Sequence, residues 1–190
     1  MAGGAVGRGG ELQDVLAPGL RVLFVGINPS LESARVGHHF AGPGNPFWRL
    51  LHAAGFTPEL LRPSDDRRLP EFGFGITNLC PRATRTAAEL TRREYERGVG
   101  ELVRKVEATR PTTVALVGVT LARIVLPGSA EAGPGPRLSS FAGERVFVLP
   151  NPSGRNAAFP SFESKLVWFV RLREFELREA AGGRGGSSDS

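Results

Sequence analysis

Apolar runs and apolar positions at helical spacing alternate along the middle of the chain. Arg21–Ile27 (RVLFVGI) is apolar at nearly every position, the pattern of a strand buried on both faces. Phe72–Leu79 (FGFGITNL) reads as a second strand, whose glycines leave room for another backbone or a ligand to approach. Thr112–Val117 and Arg145–Leu149 read as further buried strands. Asn45 is placed to cap a helix with Pro46 at its first position, continuing through Phe47, Trp48, Leu50 and Leu51 to Gly55. Thr91 and Glu94 form a capping box that opens a long helix to about Thr109. A short helix is expected near Thr120–Val125. A last one is expected over about Ser161–Leu177, where Phe162, Leu166, Phe169 and Leu172 recur at helical spacing. Strands alternating with helices predict an α/β domain, three-layer α/β/α around a short, mainly parallel central sheet.

Composition bounds this picture without redrawing it. The 190 residues, 41% of them hydrophobic, suit one domain with a buried core. Glycines crowd residues 1–10 and 181–190, which are expected to be disordered tails around a single domain of residues 11–180. All 15 prolines fall between those tails, and Gly128–Pro136 reads as an exposed loop. No apolar run reaches the roughly 18 residues of a membrane helix, and the first ten residues lack a signal peptide's apolar stretch. A cytoplasmic protein with no membrane partner is the expectation. The one cysteine, Cys80, excludes an internal disulfide and all-cysteine zinc or iron–sulfur sites. No His/Cys/carboxylate group has zinc spacing, so neither a metal nor another cofactor is expected. The net charge of +5, carried almost wholly by arginine, hints at a polyanionic partner. A GC-rich genome would enrich arginine as well, so charge alone does not decide for nucleic acid.

Ligands of parallel sheets bind beyond the carboxyl ends of strands. Gly26–Ser30 (GINPS) follows the first predicted strand, Thr77–Arg82 (TNLCPR) ends the second, and Pro150–Asn156 (PNPSGRN) follows the fourth. Between the first two lies Gly37–Asn45 (GHHFAGPGN), which combines flexible glycines with an aromatic. Each alone is an ordinary turn. Gathered at the mouth of one sheet, they make a candidate site.

The ordered set resembles the mismatch-specific uracil-DNA and thymine-DNA glycosylase family. The resemblance rests on LAPGLRVLFVGINPS at Leu16–Ser30, GHHFAGPGNPFW at Gly37–Trp48, GITNL at Gly75–Leu79 and LPNPSG at Leu149–Gly154, and it runs over roughly Leu16 to Leu177. It implies the three-layer fold and a monomeric enzyme that flips a nucleotide out of duplex DNA and hydrolyses its N-glycosidic bond. The implied substrate is uracil, with thymine or damaged pyrimidines, in G·U or G·T mispairs. Extrusion costs a few kcal/mol and least at a mispair, a physical source of preference.

Asn28 takes the position of the family's water-holding residue, and Thr84 a position beside that water. A carboxamide accepts a hydrogen bond from water but cannot take its proton, so the implied mechanism is dissociative. Backbone N–H groups around Ile27 and Phe40 are the expected donors to the departing base. Phe40 matches the stacking aromatic, and Asn78 falls where the thymine-DNA branch reads the base edge. His38 and His39 are candidates for a uracil carbonyl or a phosphate, His39 the one assigned to the base. Asn151, Pro152, Ser153 and Gly154 resemble the loop that enters the minor groove. Arg155 sits at the inserted wedge, where relatives can have an aliphatic residue, and Arg82 and Arg85 are candidates for phosphate contacts. Two rivals remain: a non-catalytic damage-binding module of the same fold, and a glycosylase of a neighbouring branch with another base preference. A nucleotide-binding protein lacks its G-x-G-x-x-G or P-loop lysine motif here, and a deaminase its zinc signature.

Overall fold

A computed structural model describes residues 12–129, 131–154 and 156–182. Its strands are β1 (Val22–Gly26), β2 (Phe74–Asn78), β3 (Thr113–Val117), β4 (Gly135–Pro136) and β5 (Arg145–Leu149). They form one sheet in the order β2-β1-β3-β5-β4, parallel except for β4, which lies antiparallel to β5. The helices are α1 (Leu31–Val36), α2 (Phe47–Ala53), α3 (Arg92–Thr109), α4 (Val119–Val125) and α5 (Phe162–Gly182). Two 3₁₀ segments, Pro63–Phe72 and Ala87–Glu89, join them.

Every residue of β1, β2 and β3 is buried, because helices cover both faces of the sheet. Alternation along β1 sorts its side chains. Val22 and Phe24 join the core that includes α2 and α5, whereas Leu23 and Val25 join the core of α3 and α4. The first core is aromatic. Phe24 meets Phe47, Phe56 and Phe74 edge-on at ring-centre distances of 5.6, 5.6 and 6.3 Å. The three-layer α/β/α reading holds.

The structure also departs from the sequence pattern, each time for a local reason. Gly135 and Pro136 lie within the segment expected to be an exposed loop, yet they form β4, with Gly135 buried. The α2 helix begins at Phe47, after Pro46. Asn45 still serves its start, its Oδ1 accepting from the Phe47 N–H at 3.0 Å. The Thr91–Glu94 capping box forms as expected. The glycine gap in β2 is filled by a side chain and a neighbouring backbone: a Cβ on Gly75 would lie 2.5 Å from Leu20 Cδ1 and 2.8 Å from the Val15 carbonyl oxygen. Val15 and Ile76 exchange two backbone hydrogen bonds of 2.9 Å there, an antiparallel bridge along the outer side of β2. The last helix runs on to Gly182, and the expected tails otherwise lie outside the described residues. Among the described residues no helix is long and apolar enough to cross a membrane.

β1 is flanked by β2 on one side and β3 on the other, so the order of strands reverses at its carboxyl end. Such a reversal opens a crevice where the loops of adjacent strands diverge.

Candidate active site

A cavity of about 480 Å³ opens at that crevice, lined by the loops after β1, β2 and β5 and by the Phe40 segment. Ile27, Asn28, His39, Phe40, Asn78 and Thr84 all border it. The sequence motifs therefore converge on one place.

The Asn28 carboxamide is fixed by the chemistry of its neighbours. Its Nδ2 donates to the Arg82 carbonyl at 2.9 Å and to Thr84 Oγ1 at 2.7 Å. A carbonyl can only accept, which sets the orientation of the amide. The single hydroxyl proton of Thr84 goes to the Thr86 carbonyl at 2.7 Å, so Thr84 Oγ1 must accept from Asn28. Both amide protons are thereby used, and Oδ1 is left as an acceptor facing the other way. A bridge between Ser30 and Thr84 ties the two loops together beneath this arrangement.

Phe40 holds a left-handed backbone, φ 51°, unusual for a bulky residue. Bonds on either side impose it. The His39 N–H donates to Asp66 Oδ2 at 3.0 Å, and the Ala41 N–H to Ser33 Oγ at 3.1 Å. One face of the Phe40 ring stacks on the fully buried Phe47, with centres 3.8 Å apart and planes 17° from parallel. Phe40 is thus a rigid plate backed by the core and bordering the cavity. The N–H groups of Ile27 and Phe40, which border it too, donate to no protein acceptor among the described residues.

His39 is 1% exposed, and its Nε2 lies 2.9 Å from the Gln13 carbonyl. That carbonyl can only accept, so the proton sits on Nε2. Burial pushes the imidazole's pKa below its ordinary value, leaving the ring neutral. Its one N–H therefore faces Gln13 and is not offered to a ligand. His38 lies outside, its Nδ1 3.1 Å from Asp66 Oδ1.

Asn78, the last residue of β2, pairs with Gly26 of β1. A Cβ on Gly26 would fall 2.6 Å from Asn78 Oδ1 and 3.8 Å from the Phe40 ring. Glycine at that position lets the amide lie across the strand end. The Asn78 side chain has no hydrogen-bond partner among the described residues.

After β5, Asn151 Oδ1 accepts from the Ser153 N–H at 2.9 Å, and Asn156 Nδ2 donates to the Asn151 carbonyl at 3.0 Å. Asn151, Ser153 and Gly154 reach the cavity rim, while Pro152 is buried and anchors the turn. Arg155 lies outside the described residues. Arg82 is committed elsewhere. Its Nε and Nη2 meet Glu94 at 2.6 and 3.0 Å, and Nη2 also reaches the Glu89 carbonyl at 2.8 Å. That guanidinium, with the Thr91 cap, holds the Glu94 carboxyl down at about 2. Arg85, exposed at the cavity rim, has no ion pair among the described residues.

Three contributors escaped the sequence reading. Leu12, 8% exposed, walls the cavity; Ser33 and Asp66 clamp the Phe40 segment. No motif marks them, since each acts across more than the span of a local pattern. Among the described residues no group of His, Cys, Asp and Glu side chains is arranged to hold a metal ion. The family model described as "Uracil DNA glycosylase superfamily" matches residues 13–172.

Proposed function

The chain belongs to the Uracil DNA glycosylase superfamily, whose members are DNA glycosylases, and on that footing we propose that it excises uracil mispaired with guanine. Thymine or damaged pyrimidines opposite guanine are the further substrates of this reading. The protein acts as a monomer on double-stranded DNA, flips the nucleotide and leaves an abasic site that starts base excision repair. The observation that carries the proposal is the Thr86–Thr84–Asn28 chain of hydrogen bonds, which frees one acceptor, Asn28 Oδ1, to hold a water.

The flipped base stacks on Phe40, a contact of about 1–3 kcal/mol. The bond from C1′ to the base nitrogen breaks with its electron pair going to the base. The Ile27 and Phe40 N–H groups stabilise that departing anion. The sugar becomes oxocarbenium-like, and the water held by Asn28 bonds to C1′. Its proton leaves to the base anion or to solvent, because an amide cannot bind it. Thr84 acts through Asn28, as its own proton is spent on Thr86. The Asn78 carboxamide, able to donate and accept, reads the base edge. His39 shapes the pocket through its backbone and ring and gives no proton to the base.

Purified protein mixed with a G·U duplex should release free uracil and leave an alkali-labile strand. A protein that binds the duplex without product across a range of pH would instead be the damage-binding module.

Phosphate contacts should divide the arginines. Arg85→Ala is expected to weaken duplex binding and to lower the salt slope of log K by about one. Arg82→Ala should leave that slope unchanged and lower the melting temperature, because its partners are Glu94 and Glu89. Affinity titrations at several salt concentrations read both. Gly26→Ala should fold normally yet lose about tenfold in uracil excision, roughly one hydrogen bond's worth, as the new methyl displaces Asn78. Single-turnover rates beside a circular-dichroism melt would detect either failure.

A further inference from the structure

A second cavity of about 570 Å³ is lined by Asn78 but not by Phe40. Leu12 and Asn78 border both cavities. At its wall Lys105 of α3 reaches the end of β2. Its Nζ is 2.8 Å from Asp14 Oδ2, 2.9 Å from Thr77 Oγ1 and 3.4 Å from the Asn78 carbonyl. An ammonium has three donors, and three acceptors converge on it. Thr77, wholly buried, passes its hydroxyl proton to Asp14 Oδ1 at 2.6 Å and so can only accept from Lys105.

This cluster takes no part in the mechanism above, yet its three acceptors come from Asp14 and from the last two residues of β2. Asp14 also belongs to the segment that carries Leu12, the Gln13 carbonyl bonded to His39, and the Val15 bridge to Ile76. The choice of lysine is itself informative. Arginine supplies all the other basic side chains except Lys165, which is 2% exposed with its Nζ 3.5 Å from two backbone carbonyls. A planar guanidinium does not satisfy three acceptors converging on one point, whereas an ammonium does.

We propose that Lys105 and Asp14 form a positioning pair for base recognition: they lock the backbone of Asn78 so that its free carboxamide meets the flipped base. The pair never touches the substrate. It rests on the reading of Asn78 as the base-edge contact.

The test is a double-mutant cycle on the full-length protein, read as single-turnover excision of uracil opposite guanine at saturating enzyme. Lys105→Met should slow excision by about tenfold, on the scale of couplings between residues in contact. In an Asn78→Ala background the same replacement should cost less than about twofold, because the group it positions is gone. Asp14→Asn, at a half-buried position, gives a second cycle that opens no cavity and should show the same non-additivity. Losses that multiply in both cycles, accompanied by a matching fall in melting temperature, would mean a purely structural pair and overturn the proposal. A parent protein that cleaves no uracil duplex would fail at an earlier point, overturning the functional reading and this inference with it.

Discussion

Asn28→Ala is expected to lower the single-turnover rate of uracil excision by about 10²–10³-fold, the range seen when one oriented polar group is removed from a reacting centre. Affinity for the intact G·U duplex should stay within about threefold, because the phosphate contacts assigned to this chain lie on other residues. The size of the effect follows from geometry. Two bonds of 2.9 and 2.7 Å use up the amide protons and so set the direction in which Oδ1 is presented. Alanine would free the Arg82 carbonyl and Thr84 Oγ1 as well. The Thr84 hydroxyl could then turn toward the cavity, but it would have to give up its 2.7 Å bond to Thr86. Rapid-quench assays with gel-shift titrations measure the two quantities separately. Turnover equal to the parent's would remove Asn28 from water positioning. Binding that fell in step with turnover would point to a collapsed loop.

Phe47→Ala is the second large effect, and it acts on both stability and function. The ring is fully buried and lies 5.6 Å from Phe24, 5.4 Å from Trp48 and 6.1 Å from Phe169, in addition to its stack on Phe40. Emptying such a position costs about 3–5 kcal/mol through lost transfer energy and the cavity left behind. For a domain of this size that corresponds to a melting temperature lower by roughly 6–20 °C. Below the melt, excision should also slow, because Phe40 loses the surface that holds its ring parallel to an incoming base. Phe40→Ala offers the contrast: a smaller thermal shift with a comparable loss in excision. If Phe47→Ala melted like the parent, the aromatic cluster would not be the centre of the core.

Much of this was legible from residue pattern, and the exceptions have physical causes. β1, β3 and β5 announce themselves because strands buried on both faces carry almost no polar residue. The α1 helix, LESARV, is only six residues long and mixed in polarity, so a turn reading of Asn-Pro-Ser hides the cap that Ser30 provides. The two residues of β4 carry no periodicity at all. At the site, Asn28, Phe40 and Asn78 stand inside contiguous motifs, and the fold brings them to one cavity. The ion pair of Arg82 was hidden from the sequence for a definable reason. Its partner Glu94 is the residue that completes the Thr91 capping box, and one carboxylate serves both roles. Lys105, Asp14 and Asp66 are ordinary charged residues whose meaning lies in contacts 27 to 91 positions away.

The sheet's two outer borders have a consequence for the protein in a crowded cell. An unpaired strand edge is a template on which a second chain can add itself. Here one border, along β2, is occupied at its middle residue, Ile76, by the Val15 bridge, and the other ends in β4, two residues long. One of those two is Pro136, which has no N–H to offer a newcomer. Both borders are blunted in this way, so copies gathered closely on one stretch of DNA have little means of zipping together edge to edge.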